Sequence, residues 1–116
     1  CTQWLLQQLK APKNILVCAG HGNNGGDGLA MARLLMLHGH HVKVYRVAAP
    51  HYSADNQTNA SLLAADVWLS WEEACGAIET CDLIIDALLG IGSNRKAEGA
   101  YPDCIQWLQQ YAHKTI

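Results

Sequence analysis

The sequence predicts an α/β protein: a Rossmann-like, doubly wound parallel sheet in three α/β/α layers. Three observations lead there. Residues 14–19 and 81–88 are apolar runs with the pattern of strands covered on both faces in a parallel sheet. Strand-like runs alternate along the chain with segments of helical apolar spacing, which implies right-handed crossovers. Between the first strand and the first long helix, Gly20, Gly22 and Gly25 stand at the G-x-G-x-x-G spacing. At that spacing, missing side chains let backbone N–H groups close on a pyrophosphate at a helix N-terminus.

The elements follow in order. Leu5, Leu6 and Leu9 at helical spacing make 2–10 a short amphipathic helix that stops ahead of Pro12. After the strand 14–19, the helix 25–38 is apolar almost all round except at Arg33, so it is expected to be largely buried. Gly39 stands where a C-cap glycine belongs, and His38, His40 and His41 around it suit the negative end of the helix dipole better than a zinc site. Residues 41–47 alternate and are rich in valine, as a second strand should be. Ser53 is the N-cap of a helix running to residue 65, with a short strand at 67–69 and a helix at 72–78 behind it. The strand 81–88 leads into a polar, glycine-containing segment, 90–99. A helix follows with Pro102 in its first turn and Cys104, Trp107, Leu108 and Tyr111 on one stripe, and 114–116 opens a further strand. The strand order 3-2-1-4-5 puts 81–88 beside 14–19. The crevice between their C-terminal ends is then the switch point where ligands bind, with Asp86 facing it near Asn23 and Asn24.

With 116 residues, half of them apolar, the chain makes one domain. A formal charge of −2 and the lack of any basic run exclude electrostatic binding to nucleic acid or to an anionic membrane. No apolar segment approaches the roughly 20 residues that span a bilayer, and no secretory signal opens the chain. The expected location is intracellular: the cytoplasm, or the mitochondrion in a eukaryote. Five cysteines with no Cys-x-x-Cys pair read as reduced thiols, with Cys18 and Cys104 serving as small buried hydrophobes.

Five glycines between residues 20 and 28 exceed what a strand-to-helix turn needs, so ligand approach is the expected reason for them. Asp27 has two readings. A carboxylate at a helix start gains about 0.3–1 kcal/mol from the dipole alone, and a carboxylate also accepts hydrogen bonds from sugar hydroxyls. Dehydrogenases that grip NAD usually carry Asp or Glu at the end of the second strand, where this chain has Tyr45-Arg46-Val47. Hydride transfer is therefore disfavoured. Arg46 is either a 2′-phosphate acceptor or a solvated edge arginine.

Two segments, Gly22-Asn-Asn-Gly-Gly-Asp-Gly28 after a strand and Asp82-Leu-Ile-Ile-Asp-Ala-Leu-Leu-Gly-Ile-Gly92 followed by Arg95, resemble the NAD(P)H-hydrate epimerase family, the YjeF N-terminal domain. The resemblance covers nearly the whole chain, as a single partial domain over 1–116. It implies repair of damaged nicotinamide cofactors: interconversion of the R and S hydrates of NADH and NADPH, so that a partner NAD(P)H-hydrate dehydratase can use the S form. It also implies a bound potassium ion and leaves a homodimer open. Carried over by position, Asn23, Asn24, Gly25, Gly26 and Asp27 contact the hydrated dinucleotide. So do Gly90, Ile91, Gly92, Ser93, Asn94, Arg95 and Lys96, while Asn24 and Asp86 ligate potassium. An amide oxygen and a carboxylate are suitable hard ligands, and the cation offsets the meeting of Asp86 with a phosphorylated ligand.

Two departures from the family pattern stand out. Lys96 follows Arg95 where proline is common, and the Asp-x-Pro-Ser-Gly type segment carrying the presumed acid-base aspartate and another potassium ligand is expected beyond Ile116. The family's helical N-terminal region is also absent ahead of Cys1, so the chain is expected to be a fragment lacking both family ends and the acid-base aspartate. The alternative is a non-catalytic Rossmann-like ligand-binding or RNA-processing scaffold of the same fold. An intact glycine loop beside Asp86 favours the enzyme.

Overall fold

The computed structural model describes residues 6–88 and 106–116. Its order is β1 (Asn14–Ala19), α1 (Asn23–Leu37), β2 (His41–Arg46), α2 (Ala54–Ser61), α3 (Trp71–Thr80) and β3 (Leu83–Ala87), with 3-10 turns at Ala65–Val67 and Ala112–Lys114. Residues 6–8 and 106–109 are also helical. The three strands are parallel in the order β2-β1-β3. Beyond β2, Val44 bridges Trp68, and beyond β3, Ile84 bridges Thr115, both in parallel sense. The order 3-2-1-4-5 is thus present, with each outer position joined through a single bridge. The strand at Trp68 is short for a local reason. Ser70 already caps α3 two residues after Trp68, leaving no chain to extend the pairing.

The central strand is apolar on both faces because both are covered. Ile15, Val17 and Ala19 join Leu29, Ala32 and Leu35 of α1 and Ile85 of β3 on one face. Leu16 and Cys18 join Tyr45, Ala74, Ile78, Ile84, Leu88 and Leu108 on the other, under α3 and the helical residues 106–109. At about 25 cal/mol per Å² of apolar surface removed from water, these two layers supply the main drive for folding. Cys18 and Cys81 lie buried in the second layer, and burial pushes the Cys81 thiol up. Cys104 lies outside the described residues.

Several expectations need correction. The helix expected at 25–38 begins at Asn23, so most of the glycine run is helix rather than loop. Among the described residues its outer side is not covered: Leu37 is 68% exposed and Leu34 38%. The helix expected from Ser53 to residue 65 ends at Ser61 and gives way to a 3-10 turn. The cap at Ser53 is present, with its hydroxyl accepting from the Asn56 amide at 3.1 Å. Gly39 closes α1 with φ +91°, its amide donating to Met36 and that of His40 to Leu35, the two bonds of a Schellman motif. His38 Nδ1 bonds the Leu34 carbonyl at 2.9 Å, and His40 Nδ1 accepts from the Lys13 amide at 3.1 Å. His38 thus serves the helix end, while His40 ties the turn after it to the residue before β1.

Candidate functional site

At the C-terminal edge of β1 the chain is held between its two neighbours. The Val47 amide donates to Ala19 O on the β2 side, and the Gly20 amide donates to Ala87 O on the β3 side. The glycine segment therefore leaves the sheet at the switch point. Gly22, extended at φ −93° and ψ −163°, is the N-cap of α1 and has no side chain of its own to cap the first turn.

The remaining glycines have a reason the sequence did not show. A Cβ on Gly25 would collide with the carbonyl oxygen of Gly20 and lie 2.9 Å from Asn56 Nδ2. One on Gly26 would press on the α2 backbone, 3.1 Å from the Asn56 nitrogen. One on Gly28 would collide with the Ala87 side chain of β3. Internal packing thus accounts for three glycines that ligand approach was expected to explain. Gly22 is different. Among the described residues a Cβ there would meet nothing within 4 Å, and its backbone conformation is open to any residue.

Asn56 is the residue that sequence reasoning missed. Its side chain is fully buried in α2, a helix whose sequence Ala-Asp-Asn-Gln-Thr-Asn-Ala-Ser has no apolar stripe. Its Nδ2 donates to Gly20 O at 2.8 Å and to Gly22 O at 2.9 Å, while its Oδ1 accepts from Arg46 Nη1 at 3.1 Å. Between those two loop carbonyls, His21 O accepts from the Ser53 amide at 2.9 Å. Arg46 is not a loose, solvated edge arginine. Its guanidinium lies 3.9 Å from the Tyr52 ring centroid and 5.0 Å from that of Trp68, while bonded to Asn56.

Of the other expected site residues, Asn23 and Asp27 are exposed on the first turns of α1, Asn24 is half-buried, and Gly25 and Gly26 are buried. Gly90, Ile91, Gly92, Ser93, Asn94, Arg95 and Lys96 lie outside the described residues. Asp86, paired in register with Cys18, projects from the face of β3 opposite α1, between the buried Ile84 and Leu88. It was expected to face the crevice between the strand ends, near Asn23 and Asn24. It lines an open hollow of about 300 Å³ with Leu108, Gln109, Ala112 and Thr115, and its Oδ1 accepts from the Leu88 amide at 3.1 Å. Any group shared with Asn24 must therefore sit over the strand ends rather than on either face. Among the described residues no three His, Cys, Asp or Glu gather as a metal site.

Comparison with known proteins agrees with this geometry. The family model described as YjeF-related protein N-terminus matches residues 1–116. The chain is 43% identical over 96 residues to an NAD(P)H-hydrate epimerase of Limosilactobacillus reuteri, covering 82% of this chain and 45% of that protein. It is 40% identical over 120 residues to the NAD(P)H-hydrate epimerase of Limosilactobacillus fermentum, covering 97% and 53%. It is also 37% identical over 100 residues to a bifunctional NAD(P)H-hydrate repair enzyme of Synechocystis, covering 86% of this chain and 19% of that one. The crystal structure of yeast ynu0 superposes with a TM-score of 0.79 at 22% identity, over 97% of this chain and 52% of the yeast chain, which shows the shared fold. The chain spans about half the length of the epimerases it matches. A family match over the whole chain, on a parallel sheet with the glycine segment at its switch point, shows that the chain belongs to the YjeF-related N-terminal family.

Proposed function

We propose that the protein carrying this chain is an NAD(P)H-hydrate epimerase, an isomerase that interconverts the R and S hydrates of NADH and NADPH. The observation that carries the reading is Gly22. It caps a helix at the switch point, yet neither packing among the described residues nor backbone conformation requires glycine there. Close approach of a ligand would account for it. Backbone amides at the start of α1 would hold the pyrophosphate, and Asp27, exposed one turn on, would accept hydrogen bonds from a ribose. The remaining contacts would come from residues 90–96. Inversion at C6 requires the ring nitrogen lone pair to expel hydroxide, giving an iminium that water attacks from the opposite face. The hydroxide takes up a proton as it leaves, and the incoming water loses one. The repair enzyme of Synechocystis is named bifunctional, which supports a functional link to a hydrate dehydratase.

Potassium belongs to the same proposal. The donor chemistry fits an alkali cation: Asp86 is an exposed carboxylate with Oδ1 on the Leu88 amide, and Asn24 offers an amide oxygen at the start of α1. When bound, the ion would offset the charge of a pyrophosphate. Among the described residues no helix is long and apolar enough to cross a membrane.

The test is chromatographic separation of R and S NADPH hydrate incubated with the full-length protein, with spontaneous epimerisation subtracted. Equilibration well above the blank is expected. A rate equal to the blank with NADP⁺ binding retained would replace the enzyme by a ligand-binding scaffold.

A further inference from the structure

We propose that Asn56 is a positioning residue for the glycine segment, fixing the peptide planes that face the dinucleotide; this rests on the ligand-binding reading above. Three consecutive carbonyls, Gly20 O, His21 O and Gly22 O, are all drawn toward the N-terminal end of α2, the outer two by Asn56 Nδ2 and the middle one by the Ser53 amide. In a trans peptide the N–H points opposite to its C=O, and no peptide here is cis. The amides of His21, Gly22 and Asn23 are therefore aimed away from α2 together. A flip of any one plane would exchange a donor for a carbonyl oxygen, which repels a pyrophosphate.

Such flips need a specific restraint in this segment. Glycine adopts many backbone conformations at little cost, so Gly20 does not hold its own plane, and the Gly22 carbonyl has one further restraint, the Gly26 amide at 3.1 Å. Asn56 supplies the restraint from 34 to 36 residues away in sequence. Its orientation is in turn set by Arg46, whose Nη1 donates to Oδ1 and so commits Nδ2 to the loop. Tyr52 and Trp68 hold that guanidinium in place. Asparagine suits this position because it presents two donors to two carbonyls and an acceptor to a cation at once. Aspartate has the same shape and no donor.

The decisive variant is Asn56→Asp in the full-length protein, with Arg46→Met as a second that leaves Asn56 in place but frees its carboxamide to turn. NADP⁺ binding is measured by calorimetry below the melting transition of each variant. KM and kcat for hydrated NADPH are measured per folded molecule. For Asn56→Asp we expect at least tenfold weaker NADP⁺ binding and a raised KM, with a circular dichroism spectrum like the parent's. For Arg46→Met we expect a smaller loss in the same direction. Parent-like Kd and KM in a folded variant would overturn the proposal, because a residue that only stabilises the fold leaves folded molecules unaffected. If Asn56→Asp fails to fold, Arg46→Met decides by the same criterion. A parent that neither binds NADP⁺ nor epimerises would instead overturn the functional reading. Amide hydrogen exchange at His21 and Asn23, the N–H groups of the two planes that Asn56 holds, would then still test the restraint, which fails if Asn56→Asp leaves their exchange unchanged.

Discussion

The amide nitrogen of Asn56 crosses Gly26 so closely that a Cβ on residue 26 would lie 3.1 Å from it. The same crowding surrounds Gly25 and Gly28, while a Cβ on Gly22 would meet none of the described residues within 4 Å. Stability and ligand binding should therefore separate along a single run of glycines. Gly25→Ala and Gly28→Ala drive a methyl into the Gly20 carbonyl and the Ala87 side chain, an overpacking that costs about 1–3 kcal/mol. A helix-propensity gain of about 1 kcal/mol offsets part of it. Gly22→Ser should keep or slightly raise stability, since serine is the better N-cap by a few tenths of a kcal/mol. It should nonetheless weaken NADP⁺ binding, because the new side chain occupies the approach. Urea midpoints and calorimetric titration measure the two effects. Equal affinity of Gly22→Ser and parent would remove the observation on which the function rests.

His40 makes the fold sensitive to mild acid. Burial, followed by the charges of His38, His41 and Lys13, holds its imidazole below the ordinary histidine value, and the Lys13 amide bonds to its Nδ1. A depressed folded pKa means that the unfolded chain binds more protons in the window between the two values. The contribution is present above about pH 6.5 and is lost as pH falls through the folded value. His40→Asn keeps an acceptor for Lys13 and removes the titration. The urea midpoint of the parent should fall more between pH 7.5 and 5.5 than that of the variant. Parallel decreases would assign the acid sensitivity to other groups.

The sheet order was legible because apolar runs and helical spacing alternate, and that alternation reports burial on both faces of β1 directly. What periodicity cannot see is polar burial. Asn56 sits in a helix without an apolar stripe, so only the need of such a helix for some internal anchor could have pointed to it. The start of α1 was misplaced because glycine's low helix propensity argues for loop, whereas contacts with Gly20, α2 and Ala87 make glycine necessary inside the helix. Leu34 and Leu37 were expected inside because the helix reads as apolar all round, yet the sheet covers only one side of it. Asp86 was correctly placed near the end of its strand. Its face follows from the alternation with Ile84 and Leu88, a count of two that was available in the sequence.

The start of α3 is a capping box: Ser70 Oγ accepts from the Glu73 amide at 3.1 Å, and Glu73 Oε1 accepts from the Ser70 amide at 2.9 Å. Removing the hydroxyl in Ser70→Ala should cost about 1 kcal/mol in chemical denaturation. The Ser70 backbone bond, then its side-chain bond, keeps the Glu73 carboxyl below its ordinary value. Its contribution is therefore present above the ordinary glutamate range and lost as pH falls through the folded value. Glu73→Gln should flatten that acid-side slope. An unchanged slope would show that the box does not depend on the charge.

Asp86 distinguishes an ion ligand from a turn cap. Its carboxylate accepts the Leu88 amide two residues on, a bond that by itself explains an aspartate at the end of a strand. Asparagine reproduces that bond without the charge, so Asp86→Asn should fold with a urea midpoint close to the parent's. If Asp86 also ligates potassium, losing the anionic oxygen should raise the potassium concentration that half-activates epimerisation by roughly tenfold, equivalent to about 1.4 kcal/mol. The sheet geometry adds a constraint. Because Asp86 lies on the face away from α1, an ion shared with Asn24 has to bridge over the strand ends, so Asn24→Ala should shift the same half-activation point. Potassium is titrated against tetramethylammonium at constant ionic strength, which keeps general screening fixed while removing a cation small enough to be ligated. Superimposable titrations of parent and Asp86→Asn would leave Asp86 with the Leu88 amide alone. A shift in Asp86→Asn with none in Asn24→Ala would keep the ion but move it onto the hollow lined by Gln109 and Thr115.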